Sequence, residues 1–170
     1  MQELLLDAAN DGADYAITID FDSLFGPEHV KRLLNVMVEN PHIDALASLQ
    51  ARRGMKYPLF TCFGQEAVTF EGKPLKVSTA HFGLTAIRIE SLKKCELPLY
   101  QGQPGADGRY GEDRIDDDIW FWRQWEKAGN SVYVDSGCSI GHVEEMVAYY
   151  DTDGTHQFAY PAKWIEDNIC

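Results

Sequence analysis

Apolar positions along this chain follow two patterns, a helical spacing near 3.6 residues and short unbroken runs, and the two alternate from the start. Gln2 to Ala9 reads as the last turns of an amphipathic helix, with Leu4, Leu5 and Ala8 on one side and Asn10, Asp11 and Gly12 ending it. Ala16 to Ile19 is a run suited to a buried strand. Pro27 opens the next helix, Val30, Leu33, Leu34 and Met37 form its apolar stripe, and Asn40 with Pro41 stops it. Ile43 to Leu49 is a second strand, followed by the basic, flexible Arg52, Arg53 and Gly54. From Tyr57 to Ile89 short apolar runs broken by Gly64 and by Glu71 to Pro74 predict a β-rich excursion, with Leu75 to Ile89 its longest extended piece. Gly83 inside that piece marks a bulge or a close approach to a ligand.

Ser91 to Cys95 reads as a short helix, and Pro98 to Tyr110 as a loop of a length that is often functional or simply mobile. The stretch EDRIDDDIWFWRQWEKAGNSVYVD predicts a helix over Ile119 to Ala128, closed by Gly129, and a strand over Ser131 to Asp135. Phe121, Trp122, Trp125 and Ala128 share one helix side, Arg123, Glu126 and Lys127 the other. The segment Gly137 to His142 comes next. The remainder, 143–170, is a polar tail carrying Tyr149, Tyr150, Phe158, Tyr160 and Trp164, which either packs across the domain or covers its site.

The length of 170 residues suits a single domain, 1–170, with a core of its own. A formal charge of −12 argues against nucleic acid as a partner, because that binding needs a basic surface. Cys62, Cys95, Cys138 and Cys170 have no metal-like spacing and read as free, mostly buried thiols. The opening residues are too acidic for a signal peptide, and no run is long enough for a membrane span. A soluble cytoplasmic protein is the expectation.

Candidate chemistry begins at Asp20 and Asp22, where the strand from Ala16 should emerge. On an extended chain the two carboxylates point the same way, roughly 6 to 7 Å apart at their α-carbons. Such a pair suits a hard divalent cation facing a phosphate, and open α/β sheets bind ligands at this end of their strands. The alternative is a turn, with Asp22 and Ser23 capping the next helix. Asp118 falls on the aromatic side of its helix, whereas Asp116 and Asp117 are explained by the helix dipole alone. A lone histidine such as His142 is in general more often structural than a ligand.

With these residues in view, the chain resembles the GT-A class of glycosyltransferases, most closely the family-2-like group, over about Tyr15 to His142. The matching elements are the strand ending in Asp20-x-Asp22, the Gly-containing extended segment near His81 to Arg88 that is similar to the family's acceptor-side G-x-x-x-x-R stretch, the pair Asp117 and Asp118 before a helix closing on Ala128-Gly129, and the strand running into Gly141-His142. The resemblance implies an α/β fold, a partial GT-A (Rossmann-like) mixed sheet flanked by helices. It further implies that Asp20 and Asp22 hold Mn2+ or Mg2+ against the diphosphate of a nucleotide-sugar donor, a UDP-sugar being favoured, with His142 completing the metal site. Asp118 is then the base that takes the proton of an acceptor hydroxyl in an inverting transfer. Asp117 stands where the family usually has Glu, and Glu112 with Asp113 offers a second acidic pair. Family members carry a further N-terminal half with the first strand and the nucleoside pockets, so the resemblance implies a fragment or truncated reading frame, a second chain that supplies that half as partner, or a loss of activity.

Two other functions fit the same residues. IDFDSLF is similar to the nucleophile motif of haloacid-dehalogenase-like phosphatases, although Leu24 stands where Thr is expected and no Gly-Asp-x-x-x-Asp follows. A non-catalytic metal- or sugar-binding module of the same fold is the other alternative.

Overall fold

The computed structural model describes residues 1–52, 57–62 and 68–168. Arg53, Gly54, Gly64 and Cys170 lie outside them. The chain runs α1 (Gln2–Asn10), β1 (Tyr15–Ile19), β2 (Ser23–Leu24), α2 (Pro27–Glu39), β3 (Ala45–Leu49), β4 (Phe60–Thr61), β5 (Pro74–Val77), β6 (Thr79–Ala80), β7 (Leu84–Arg88) and α3 (Ile89–Leu92). It continues with α4 (Asp117–Lys127), β8 (Val132–Ser139), β9 (Gly141–His142), β10 (Val147–Tyr150), β11 (His156–Ala159) and α5 (Pro161–Asn168).

The fold is α/β. Five strands form a mixed sheet in the order β1-β7-β3-β8-β5. β7 runs antiparallel to both β1 and β3, β3 and β8 are parallel, and β5 is antiparallel to β8. β1, β3 and β8 therefore end at the same edge of the sheet, and β7 begins there.

Alternation along the strands divides the core into two layers. Ala45, Ala47 and Ile87 face a cluster with Leu5 of α1, Ile89 and Leu92 of α3, and Phe121, Trp122 and Trp125 of α4. Leu46, Leu84 and Ala86 face the other side, where Leu33 and Met37 of α2 join Ile43, Cys138 and Ile140. Helices thus cover both faces. The α2 stripe is as expected, with Leu33 and Met37 fully buried and Val30 and Leu34 packed beside them. In α1 the phase differs from the reading, since Leu5 is buried but Leu4 is 70% exposed. Of the three cysteines among the described residues, Cys138 is buried, and Cys62 and Cys95 are partly exposed.

Three elements differ in extent. The stretch from Leu75 to Ile89 is not one strand: the chain bends around Ser78 and again at His81 to Gly83, so β5 lies at the outer edge while β7 inserts between β1 and β3. β8 continues past Asp135 to Ser139, with a register shift that pairs Leu49 with Ser139. At this irregularity Gly137 lies so close to Arg32 that a Cβ there would sit 2.2 Å from its guanidinium. α4 starts two residues before Ile119 and ends with Gly129 at φ +78°, where Asn130 N–H bonds back to Trp125 O at 3.1 Å.

The tail is structured rather than plain coil, with an antiparallel β10–β11 ribbon followed by α5. Among the described residues no helix is long and apolar enough to cross a membrane.

Candidate functional site

A cleft of about 810 Å³ opens at the sheet edge where β1, β3 and β8 end. Asp20 and Asp22 reach it from the turn after β1, Gln50 from the end of β3, and His81 and Phe82 from the segment leading into β7. His142 enters from β9, Asp117 and Asp118 from the first turn of α4, and Tyr100 from the loop before it. All five residues singled out in the sequence line this one cleft. The four carboxylates Asp20, Asp22, Asp117 and Asp118 make the lining acidic, and Arg52 adds a cation to it.

The two carboxylates after β1 are not on an extended chain, as the alternation argument supposed. β1 stops at Ile19, and Ser23 N–H closes a turn on Asp20 O at 3.1 Å. The turn reading was therefore right about the backbone, but neither Asp22 nor Ser23 caps α2. Gly26 does so, donating its N–H to His29 Nδ1 at 3.0 Å, with Pro27 beginning the helix. This turn separates the two carboxylates by burial: Asp20 is exposed, whereas Asp22 is 8% exposed.

Asp22 meets His142. Pairing of β2 with β9 sets Ser23 opposite His142, and the Asp22 carbonyl accepts the Val143 N–H at 2.8 Å. His142 Nε2 then lies 3.2 Å from Asp22 Oδ2, while its Nδ1 lies 2.9 Å from the Ala51 carbonyl. A carbonyl only accepts, so Nδ1 carries a proton; in a neutral ring the Nε2 lone pair then faces the carboxylate. Two acceptors in that position need a proton or a cation between them. A spacing of 3.2 Å also matches neighbouring ligands in an octahedral shell, which lie roughly 3 Å apart at metal distances near 2.1 Å. The pair is therefore spaced as a hydrogen-bonded ion pair, and a cation would find the same room between the two acceptors. The expected trio is not closed, however: among the described residues no three His, Cys, Asp or Glu side chains form a group able to hold a metal. The turn at Asp20 is the physical reason, because it removes the alternation that would have aligned Asp20 with Asp22.

Asp118 is half buried at the start of α4, and its Oδ1 accepts the Ile119 N–H at 2.7 Å. Burial raises its pKa above the usual carboxylate value, with the charges of Asp116 and Asp117 adding to the effect. Asp117 is exposed and accepts the Asp118 N–H at 3.0 Å. Glu112 and Asp113 are not in the cleft lining; Asp113 instead accepts the Ala106 N–H at 3.0 Å within its own loop. The Asp117–Asp118 pair is thus the one at the cleft.

His81, at the start of the matched extended segment, and Gln50, which sequence reasoning did not single out, complete the floor. His81 is buried, with Nδ1 accepting the Gly83 N–H at 2.9 Å and Nε2 donating to Ser48 O at 2.8 Å. Burial lowers its pKa to about 4, so it is neutral at pH 7. Gln50 donates to Ser23 Oγ at 3.2 Å and to Gly141 O at 3.3 Å, tying the two short strands at the site together. Gly83 makes a close approach to protein rather than to a ligand: a Cβ there would lie 2.5 Å from Gln50 Oε1 and 2.8 Å from both His81 Nδ1 and Ser23 Oγ. Arg88 stands at the far end of β7, roughly 17 Å from Gly83 at strand spacing. There it donates to Tyr15 Oη, Met37 O and Ile43 O, a role in holding the fold.

No family model matches the chain, and comparison with curated proteins gives no match. In structure it is similar to the crystal structure of A197 from STIV, with a TM-score of 0.58 and 15% identity over 91% of this chain and 71% of that one. A likeness at this identity speaks for the α/β fold.

Proposed function

We propose that this chain is a metal-dependent glycosyl-transfer domain, moving a sugar from a nucleotide-sugar donor to an acceptor hydroxyl with inversion. The observation that supports this reading is the convergence of Asp20, Asp22, Asp117, Asp118 and His142, drawn from distant parts of the sequence, on one cleft. Asp22 and His142, with Asp20 nearby, would hold Mn2+ or Mg2+. Cations of this kind are commonly held by one or two carboxylates together with substrate phosphates, so a donor diphosphate would complete the shell that the protein leaves open. The bound metal supplies stabilisation of the charge developing on the departing diphosphate.

Asp118 takes the acceptor proton as the acceptor oxygen bonds to the anomeric carbon, while the bond from that carbon to the diphosphate oxygen breaks. Its raised pKa makes it a better base than an ordinary exposed carboxylate. Asp117 lies beside it on the cleft wall, and Arg52 offers a positive charge to a phosphate. A UDP-sugar is the donor we favour, and the reading takes the protein to act in the cytoplasm.

Thermal unfolding with Mn2+, UDP and nucleotide sugars tests the proposal. A ligand specific for the folded state adds about 2.7 kcal/mol at a hundredfold excess over Kd. The expected result is a shift that needs both Mn2+ and nucleotide and disappears in Asp22→Asn. No shift with any combination would overturn the reading.

A further inference from the structure

We infer that Tyr100 seats the acceptor: its hydroxyl and the Asp118 carboxylate form a subsite for one hydroxyl group of a neutral sugar or polyol. The part played by that hydroxyl as nucleophile rests on the transferase reading; the subsite itself rests on the following geometry.

Tyr100 Oη is buried and has no hydrogen-bond partner in the protein among the described residues. Buried hydroxyls are ordinarily paired, so an orphan on the wall of a cleft marks a place where a ligand oxygen belongs. The ring cannot swing away to find another partner. It stacks on Phe121 at 5.1 Å and 27° and packs against Phe82 at 5.5 Å, and Phe82 in turn stacks on Trp122 at 5.2 Å and 11°. The backbone before it is pinned as well, with Leu99 N–H donating to Gln2 Oε1 at 2.7 Å and Trp120 Nε1 to Pro98 O at 3.0 Å.

The chemistry of the neighbours selects the ligand class. Burial and the charges of Asp117, Asp118 and Asp20 raise the Tyr100 pKa, so the phenol stays protonated and acts as a donor. An ionised Asp118 only accepts. A group that bridges the two must accept from one and donate to the other, which a hydroxyl does and a fully ionised phosphate or carboxylate does not. Anions would also meet the charges of Asp117 and Asp118. Phe82 and the Tyr100 ring provide apolar surface for the carbon face of a sugar beside that hydroxyl.

The test uses the full chain and three variants of the ligand surface. Methyl β-D-glucoside, methyl α-D-mannoside and glycerol serve as probes in ligand-observed NMR, with inorganic phosphate as the anionic control. At least one neutral probe should bind, with Kd about 5- to 10-fold weaker in Tyr100→Phe and in Asp118→Asn, the fold-change of one lost hydrogen bond. Tyr100→Phe keeps the ring stack, so its Tm should equal or exceed that of the parent. Tyr100→Leu, which removes the apolar surface too, should weaken binding further. Equal affinities in parent and Tyr100→Phe, no binding of any neutral probe, or displacement of the neutral probe by inorganic phosphate would overturn the subsite. Thermal shift by Mn2+ with UDP is measured separately and should be unchanged in Tyr100→Phe. Its absence alongside intact, Tyr100-dependent glycoside binding would strike the transferase reading and leave the hydroxyl subsite standing.

Discussion

His142 Nε2 lies 3.2 Å from Asp22 Oδ2 across 120 positions of sequence, and both side chains are about nine-tenths buried. The β2–β9 pairing brings them together, so the backbone fixes the pair before any ligand arrives. His142→Ala should abolish Mn2+-dependent stabilisation as fully as Asp22→Asn does, whereas Asp20→Asn should only reduce it. Thermal scans with and without Mn2+ on the three variants check this order; equal responses in all of them would contradict it.

Asp118→Asn should separate activity from stability. In the folded state this carboxyl binds its proton more tightly than in the unfolded chain, because burial disfavours the anion. Folding therefore loses stability as pH rises above the ordinary carboxylate range, and the neutral amide escapes that loss. At pH 7 the variant should unfold at a higher Tm than the parent, and the difference should close near pH 3. If Asp118 is the base, turnover should fall by about 10²- to 10⁴-fold while the shift with Mn2+ and UDP persists.

His81 predicts a loss of stability in mild acid. Its folded pKa of about 4 lies below the ordinary value of 6.5, so the unfolded chain takes up a proton first as pH falls. Its contribution is complete above pH 6.5 and disappears by about pH 4, with a ceiling of about 3 kcal/mol at 1.36 kcal/mol per pH unit. Denaturant unfolding of parent and His81→Gln, in EDTA, should show the variant weaker at pH 7 and flatter between pH 6.5 and 4.

Arg32→Met should be among the most damaging changes away from the cleft. Arg32 holds Asp135 through Nε at 2.6 Å and Nη2 at 3.0 Å, and the Asp135 side chain is 0% exposed. Removing the guanidinium leaves a buried charge with, among the described residues, the Gly137 N–H as its remaining donor, a situation that costs about 3–5 kcal/mol. Urea unfolding measures it, and restoring an apolar partner with Asp135→Leu in the same chain should recover much of the loss.

The sheet and its helices were legible because their patterns are local. The stripe at Leu33 and Met37, the run Ala45 to Leu49 and the aromatic face of α4 each carry their period within a dozen residues. Asp118 was legible for the same reason. What local pattern does not encode is where the chain bends: the turn closed by Ser23 N–H on Asp20 O changes the relation of two carboxylates that extended geometry would align. Tyr100 lies in a loop with no period, and only the packing of Phe82 and Phe121 reveals why its ring is fixed. Gln50 and His81 carried a weak signal, one at the end of a strand and one before a glycine. The split of Leu75 to Ile89 between the edge and the middle of the sheet depends on which partners β5 and β7 find, a choice made at long range.

The stacking of Phe82 on Trp122 gives the cleft an optical readout. Phe82 forms part of the cleft wall, and the Trp122 indole behind it donates to the Ala80 carbonyl at 2.5 Å and meets Trp125 edge-on at 6.1 Å. A molecule settling against Phe82 changes the polarity next to a rigid, coupled indole pair. Intrinsic emission and near-ultraviolet dichroism should therefore register occupancy without any attached dye, so that unlabelled candidate ligands can be screened by titration in a cuvette.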